Sequence, residues 1–519
     1  MSGTKTFRES PEDLTEGLFL GTDAGTIAYR TAMGQAQQAV LDAYLRRATP
    51  YSGASHEQQA AQLASIECLP EDGRGLPATI ELVAETVLQH SVGVSDPACV
   101  AHLQCPPMIP ALAAEAMITA TNQSLDSWDQ SPSATELETR LVDALAEVFG
   151  YEEHSDGVFT SGGTQSNFMA LLLARNWYLD DRFDHNARID GLPPEIDSLR
   201  ILCSEDAHFT TRQSAAQLGL GENAVVTVPT DDEHRLSVDA LDSTVQTLCE
   251  RDLQPFALVG TAGTTDFGSI DPLTPLAQRA HEHNMWFHVD AAYGGALAFS
   301  ERHNEKLSGI ALSDSISIDF HKLFYQPLSC GAFLLREGDR YRYIDRNAAY
   351  LNPESDDTDG VVNLVSKSVQ TSRRFDALKP FIAFQTLGRA GIAELIDYTL
   401  ELATAVADTI AADPAFELKH EPTLNAVVFR YLPTTDANGS ATSETSEVNE
   451  RIRDRLRAEG DAIIARTTVD AETYLKFTLL NPQTTISDVE RILEAIKQYG
   501  TEITPLYEQK TNYDASAEE

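Results

Sequence analysis

Between residues 158 and 336, short runs of β-branched and aliphatic residues alternate with longer stretches in which apolar residues recur every three or four positions. The short runs predict buried strands, and the longer stretches predict amphipathic helices. Such alternation is typical of βαβ units, which build a mainly parallel sheet. The seven predicted strands are residues 158–161, 199–204, 224–229, 256–261, 286–290, 315–319 and 331–336.

The flanking parts of the chain have other patterns. Residues 1–75 are polar and helical in pattern, with little to bury on their own, and further helices are predicted at 79–89, 110–122 and 134–149. Near the C-terminus, strands at 426–431 and 475–480 lie between helices predicted at 381–412, 446–459 and 485–499. We therefore predict an α/β protein with an N-terminal helical segment (1–125), a large domain (126–392), a small C-terminal α/β domain (393–505) and an acidic tail (506–519).

The charge of the chain is strongly unbalanced. It has 79 acidic residues against 38 basic ones, a formal net charge of −41. Such a chain repels nucleic acid and anionic membranes, so neither is an expected partner. The acids recur from Glu9 to Glu519, which favours the surface of a halophile's protein, in which molar salt screens the self-repulsion. The alternative is an ordinary acidic cytosolic enzyme.

Cysteine usage and hydropathy indicate the cell compartment. The six cysteines form no CxxC pair and have no metal-like spacing, so we expect reduced thiols and no metal site. The N-terminus lacks the apolar stretch of a signal peptide, and the chain has no apolar run of membrane-spanning length. The sequence therefore predicts a soluble cytoplasmic protein.

Polar side chains follow the ends of several predicted strands, where ligands of parallel sheets bind. A lysine desolvated at such a place can attack a carbonyl carbon, and an aspartate there can hold a protonated pyridine nitrogen. The turn Ser161-Gly-Gly-Thr164 precedes a helical pattern, and N–H groups at a helix N-terminus bind phosphate. Each residue alone has an ordinary structural explanation, but their order along the chain favours one site. These strand-end residues are Gly163, His208, Thr265, Asp290 and Lys322.

A glycine-rich turn, a histidine, an aspartate and a lysine in this order resemble the cofactor site of the group II pyridoxal-phosphate-dependent amino acid decarboxylases. The resemblance extends over roughly residues 80 to 495. It implies a fold like that of aspartate aminotransferase (fold type I), pyridoxal 5'-phosphate as cofactor and an amino acid substrate that loses CO2. It also implies a homodimer in which the N-terminal helical part packs across the subunits.

The resemblance further implies roles for individual residues of this chain. Lys322 is expected to link the cofactor covalently, and Asp290 to keep its ring nitrogen protonated. His208 and Ala292 are expected on the two faces of the ring. For the phosphate, the implied residues are Gly163, Thr164 and Asn167, with His321 on the opposite side, and Thr265 is a further implied cofactor-binding residue. Relatives usually carry asparagine where this chain has Asp319, and an acid beside a dianionic phosphate leaves the phosphate contacts open.

Residues 338–362 are polar and contain turn signals, which predicts a long surface loop. In the resembled family a tyrosine on such a loop returns a proton to the substrate's Cα. Tyr350 aligns with that tyrosine if a one-residue gap is allowed, and Tyr341 and Tyr343 are the alternatives in the same loop.

The segment 121–132 suggests which side chain the substrate carries. Asp126, Trp128, Asp129 and Gln130 lie close together on a loop that the family places in the substrate pocket, from either subunit. Carboxylates beside an indole suit a distal ammonium group, although the acids can also be surface residues. This segment and the loop at His102 resemble the L-2,4-diaminobutyrate decarboxylases, which form 1,3-diaminopropane, and implied substrate-binding residues are His102, Asp126, Asp129 and Gln130.

Other activities stay open from the sequence. Lysine or ornithine is the next substrate in order, followed by glutamate or an aromatic amino acid. An aminotransferase or an aldehyde-forming enzyme of the same fold is a second class, and Arg373, Arg374 and Arg430 are conceivable clamps for a retained carboxylate. A catalytically silent homologue with a binding role is a third.

Overall fold

A computed structural model describes residues 15, 17–346, 352, 361–433 and 442–515 of the chain. The side chains of 442–444 and 505–515 are not part of the description. Tyr350 lies outside the described residues, and its predicted role therefore stays a prediction.

A seven-stranded sheet forms the centre of the molecule, in the order β1-β7-β6-β5-β4-β2-β3. Strands β2 to β6 pair in parallel, whereas β7 is antiparallel to both of its neighbours, β1 and β6. The seven strands are β1 (Asp156–Thr160), β2 (Leu199–Ser204), β3 (Val225–Val228), β4 (Gln254–Thr261), β5 (Trp286–Asp290), β6 (Ser315–Asp319) and β7 (Gly331–Leu335). The predicted mainly parallel sheet is confirmed, including every strand.

Helices cover both faces of this sheet. Those that border it are α5 (Pro132–Val148), α6 (Gly163–Phe183), α7 (Ala187–Asp190), α8 (Thr210–Gln217), α9 (Val238–Glu250) and α10 (Leu273–Glu282). Ala257 and Val259 of β4 pack into an apolar cluster with α6, whereas Leu258 between them packs into a cluster on the opposite face. Burial on both faces explains why these strands are continuous apolar runs rather than alternating ones.

The C-terminal part forms a second, antiparallel sheet in the order β10-β11-β9-β8. Its strands are β8 (Phe416–Leu418), β9 (Ala426–Tyr431), β10 (Ala465–Val469) and β11 (Glu472–Thr478), and its helices are α12 (Thr442–Glu459) and α13 (Ile486–Ala515). The long helix α11 (Leu378–Ala412) joins the two parts, because Ile392, Ile396 and Leu400 belong to the large core and Leu402 to Ile410 contribute to the small one. The predicted domain boundary at residue 392 stays a prediction.

The first three N-terminal helices lie on the surface with many apolar side chains exposed, whereas the fourth buries Ala111, Ala114 and Ile118. These helices are α1 (Asp23–Arg46), α2 (His56–Ala64), α3 (Leu76–Thr86) and α4 (Ile109–Thr121). Among the described residues of α1 to α3, only Gly25 is buried. Leu45 is 82% exposed and Leu69 is 92% exposed. This segment therefore has no core of its own within one chain, as the sequence predicts. In the described part of the chain no helix is both long and apolar enough to span a bilayer.

Candidate active site

A cavity of about 250 Å³ lies at the carboxyl edge of the parallel strands. It is lined by all nine cofactor residues predicted from the sequence: Gly163, Thr164, Asn167, His208, Thr265, Asp290, Ala292, His321 and Lys322. Strand ends of a parallel sheet meet at one edge, which is why residues far apart in sequence converge here. The structure therefore brings the predicted cofactor residues into a single site.

One wall of the cavity is the turn between β1 and α6. Gly162 has φ +133°, a conformation that favours glycine, and α6 begins at Gly163. A Cβ atom on Gly163 would lie 3.1 Å from the Cβ of Ala292, tighter than most real contacts. The lack of a side chain therefore keeps this end of the cavity open, and backbone N–H groups at the helix start face a potential anion.

Asp290 lies buried at the base of the cavity and accepts several hydrogen bonds. The Asn167 amide donates to its Oδ2 at 2.7 Å, and the Ala292 N–H donates to its Oδ1 at 3.1 Å. Burial alone would raise the pKa of Asp290, but the charge of Lys322 and the bond from Asn167 outweigh burial, so the pKa lies below its usual value. A carboxylate that stays ionised in this position can hold a proton on a heteroaromatic nitrogen.

A relay of hydrogen bonds supports Asp290 from within the sheet. Asn167 Oδ1 can only accept, so His288, 2.9 Å away, carries its hydrogen on Nε2. Burial lowers the pKa of His288 to about 4, which keeps the ring neutral, and its Nδ1 accepts from the Ser315 hydroxyl at 2.9 Å. The Trp286 indole N–H in turn donates to Ser315 Oγ at 2.9 Å.

The relay changes the expected role of Asn167. Its two amide hydrogens go to Thr210 Oγ1 (3.1 Å) and Asp290 Oδ2, so neither is free for a phosphate. We correct the predicted phosphate contact accordingly: Asn167 supports Asp290. His288 and Ser315 were missed in the sequence, although polar residues at alternate positions of buried apolar strands are a usable signal.

Lys322 is held by Asp319 at the other end of the cavity. Its Nζ lies 3.1 Å from Asp319 Oδ2, and the side chain of Asp319 is 4% exposed. Asp319 Oδ1 also accepts the Gly163 N–H at 2.7 Å, and His321 Nε2 lies 3.5 Å from Asp319 Oδ2. Asp319 thus contacts both the Lys322 amine and the glycine turn.

His208 lines the same cavity with a half-buried imidazole. Its Nδ1 lies 2.9 Å from Thr210 Oγ1, which orients the ring. Burial and the positive charge of Lys322 lower the pKa of His208, against the opposing charges of Asp290 and Asp319. A neutral, oriented imidazole suits stacking on a flat ring.

These residues fit pyridoxal phosphate. One cavity is lined by a group for each part of the cofactor. These groups are an amine for the aldehyde, a buried carboxylate for the ring nitrogen, His208 and Ala292 for the ring faces, and a glycine turn for the phosphate. Thr261 Oγ1, which is buried at the same cavity, has no hydrogen-bond partner in the described structure. Among the described cavity residues, Asp319 opposes the fit, because its carboxylate already accepts the Gly163 N–H that a phosphate would use.

Lys476 of β11 links the small domain to the cavity and was also missed. Its Nζ donates to the Thr265 carbonyl at 3.1 Å and to Asp266 Oδ1 at 2.6 Å. His102, which has φ +62°, precedes the cavity residue Leu103. Burial and the nearby charges of Lys476 and Arg453 lower the pKa of His102.

Within one chain, none of the four predicted substrate residues, His102 included, is among the residues that line this cavity. Asp126 is buried and accepts the Ser127 N–H at 2.7 Å. Asp129 accepts from the Ser127 hydroxyl at 2.6 Å, and the Gln130 amide donates to that hydroxyl oxygen at 2.9 Å. Whether a partner subunit supplies them, as the sequence comparison with the family allows, stays a prediction.

The two alternative tyrosines and the three candidate arginine clamps all lie elsewhere. Tyr341 is buried in the core beside α6, and the Tyr343 hydroxyl donates to Asp180 at 3.1 Å. Each arginine is paired with a glutamate: Arg373 with Glu138, Arg374 with Glu115, and Arg430 with Glu417 and Glu472. Among the described residues that line the cavity there is no arginine.

Comparison with known proteins gives a consistent result. The pyridoxal-dependent decarboxylase conserved domain matches residues 67–432. The chain is 40% identical to an L-2,4-diaminobutyrate decarboxylase of Acinetobacter baumannii over 92% of this chain and 94% of the relative. It is also 40% identical to an L-2,4-diaminobutyrate decarboxylase of Rhizobium meliloti, over 96% and 97% of the two chains.

A solved structure has the same fold throughout. It is the glutamate decarboxylase domain of diaminobutyrate-pyruvate transaminase and L-2,4-diaminobutyrate decarboxylase from Vibrio parahaemolyticus. It superposes with a TM-score of 0.86 at 38% identity, over 95% of this chain and all of that one.

Proposed function

The chain belongs to the pyridoxal-dependent decarboxylase family, and from that premise we propose that it releases CO2 from L-2,4-diaminobutyrate to form 1,3-diaminopropane. The carrying observation is the 40% identity to two L-2,4-diaminobutyrate decarboxylases over nearly the whole of both chains. A partner subunit that brings the acids of the 126–130 loop to this cavity would place carboxylates beside the distal ammonium of such a substrate.

Bound pyridoxal phosphate supplies the conjugated ring that accepts the electron pair left on Cα when CO2 departs. Lys322 would provide the amine that bonds to the cofactor aldehyde, and Asp290 would hold the proton on the ring nitrogen. His208 and Ala292 are placed to fix the ring plane. Tyr350 remains the proposed acid that returns a proton to Cα.

Among the described residues, no arginine lines the cavity, which supports a decarboxylase over an aminotransferase. An aminotransferase keeps the substrate's α-carboxylate and benefits from a cationic clamp, whereas loss of CO2 is favoured when that group is weakly held. The three arginines that could act as clamps are each committed to glutamates outside the cavity.

We place the protein in the cytoplasm as a homodimer. All six cysteines are free thiols, which is ordinary for a reducing compartment. The apolar side chains of the N-terminal helices are exposed in one chain, and a second copy that covers them would remove this cost.

The test is CO2 release by purified holoenzyme from a panel of amino acids in molar KCl. We expect L-2,4-diaminobutyrate to give the highest kcat/KM, ahead of ornithine, lysine, glutamate and tyrosine, with 2-oxoacid formation below detection. Preference for glutamate or tyrosine would overturn the substrate, and 2-oxoacid in place of CO2 would overturn the reaction class.

A further inference from the structure

A second cavity, which we call the arginine cavity, lies away from the cofactor site. It has a volume of about 570 Å³ between helices α6 and α7 and the chain that follows β7. Three arginines line it, Arg175, Arg188 and Arg346, and none of the described residues that line it is an aspartate or a glutamate. The chain has 79 acidic and 38 basic residues, so the positive lining of this cavity is opposite in sign to the net charge of the protein.

Arg175 is the inner wall of the arginine cavity. It is 9% exposed, and its Nη1 donates to the Leu218 carbonyl at 2.8 Å. Its Nε and Nη2 donate to the amide oxygen of Asn176 at 3.1 and 2.8 Å. These acceptors are neutral, and burial lowers the pKa of the guanidinium. A buried cation without a counter-charge is costly, so an anion in this cavity would be stabilising.

Arg188 and Arg346 are exposed at the mouth of the arginine cavity. Arg188 Nη1 donates to the backbone carbonyl of Asp345 at 2.9 Å, which leaves the rest of its guanidinium for another acceptor. Ser368 and Thr371 add hydroxyl donors to the lining. Guanidinium groups bind tetrahedral oxyanions through paired N–H donors, which neutral side chains then complete.

We propose that the arginine cavity binds a small oxyanion of the inorganic phosphate type. The negative field of the chain disfavours anions over the rest of its surface, so a cavity whose described lining holds three cations and no carboxylate is where an anion is selectively held. The bound anion would join α6, which begins at the glycine turn of the cofactor site, to the chain on both sides of the 347–360 segment. The lining residues on those two sides are Tyr343, Ile344 and Arg346, and Val365, Ser368, Val369 and Thr371.

The test is calorimetric titration of the holoenzyme with inorganic phosphate in a chloride buffer. The holoenzyme is used because the cofactor's own phosphate then fills the glycine turn. We expect one saturable site per chain, and affinity at least tenfold weaker in the double variant Arg188→Ala/Arg346→Ala. Both arginines are exposed, and circular dichroism checks that the variant is folded.

Arg182→Ala is the matched control, since Arg182 is exposed on α6 outside the arginine cavity, and it should bind phosphate as the wild type does. Hydrogen exchange gives a second readout: phosphate should slow exchange in residues 365–371 of the wild type but not of the double variant. The proposal is overturned if the wild type shows no saturable binding, or if the double variant and Arg182→Ala bind equally well.

Discussion

Asp319 sets a carboxylate where the cofactor phosphate is expected. It accepts the Gly163 N–H at 2.7 Å and pairs with Lys322 at 3.1 Å, so a phosphate must compete with it for the turn. We predict that Asp319→Asn binds pyridoxal phosphate about tenfold more tightly, about 1.4 kcal/mol, because a like charge is removed while an acceptor for the N–H remains. The measurement is the absorbance change as the cofactor-free enzyme is titrated with cofactor.

Comparison with Asp319→Ala separates the effect of the charge from that of the hydrogen bond. The asparagine variant removes only the charge, whereas the alanine variant removes both. If repulsion dominates, the alanine variant also binds more tightly than the wild type. Equal or weaker binding by the asparagine variant would show that Asp319 assists the phosphate rather than opposing it.

At the scale of residues, the sequence predicted which residues meet at the cofactor cavity better than it predicted their hydrogen-bond partners. Asp290 and Lys322 were predictable because they end strands that meet at one edge. The partners of Asn167 were not, since the choice between a phosphate and Asp290 depends on how α6 lies over β5 and β6. The position of Asp129 was not predictable either, since loop placement relative to a cavity depends on tertiary packing.

At the scale of elements, Asp271 joins the end of β4 to the chain between β3 and α9. It is 2% exposed, and its carboxylate accepts the N–H groups of Leu236 (2.7 Å) and Thr261 (2.8 Å). Burial raises its pKa to about 7, with a further contribution from Asp206 and Asp231. Between the unfolded value near 4 and this value, the folded state binds more protons, so this group's contribution to stability falls as pH rises.

We predict that Asp271→Asn flattens this pH dependence. The free energy of unfolding of the wild type should fall between pH 5 and 8 relative to that of the variant, by about 3 kcal/mol, because about two of the three pKa units of this shift lie in that window. Urea unfolding at several pH values measures the difference. Asp232→Asn, an exposed neighbour, should leave the slope unchanged, and a parallel slope in Asp271→Asn would contradict the assignment.

The strands that were predicted and those that were missed differ in burial. The central strands carry unbroken apolar runs that only a covered sheet explains. β8 is three residues long, and β10 carries the exposed or half-exposed Arg466, Thr467 and Thr468 between buried ends. As edge strands of the small sheet they bury little apolar surface, so the hydrophobic pattern that revealed β9 and β11 is too weak to reveal them.

At the scale of the whole molecule, the 126–130 loop tests the proposed dimer. Asp129→Ala should raise KM for the diamino acid, and Lys322→Ala should abolish turnover. A hybrid dimer of these two variants has one intact Lys322, in the subunit that lacks Asp129. If Asp129 acts across the interface, the other subunit supplies it, and that site has the wild-type KM. An Asp129 that acts within its own chain leaves KM high, and an active monomer in sedimentation would contradict the dimer itself.

The net charge of −41 predicts a dependence on salt. Molar salt shortens the screening length to a few ångströms, about 3 Å, so removing it restores repulsion between the surface acids. We expect the melting temperature and activity to fall on dialysis to low salt, measured by circular dichroism and CO2 release. Sucrose at matched osmolality stabilises proteins by exclusion from their surface but screens no charge, so it should restore less of the melting temperature than salt does. An unchanged melting temperature without salt would reject the halophilic interpretation.

Because Lys476 is synthesised after Lys322, the cofactor site is completed only late in translation. The ammonium group of Lys476 holds the Thr265 loop from the small domain, so one wall of the cofactor cavity is fastened by a residue near the end of the chain. Ribosomes add roughly 5–20 residues per second, so Lys322 leaves the exit tunnel several seconds before Lys476 is made. A nascent chain therefore carries its reactive lysine before that wall is fixed, and cofactor capture on the ribosome should be weaker than capture by the released protein.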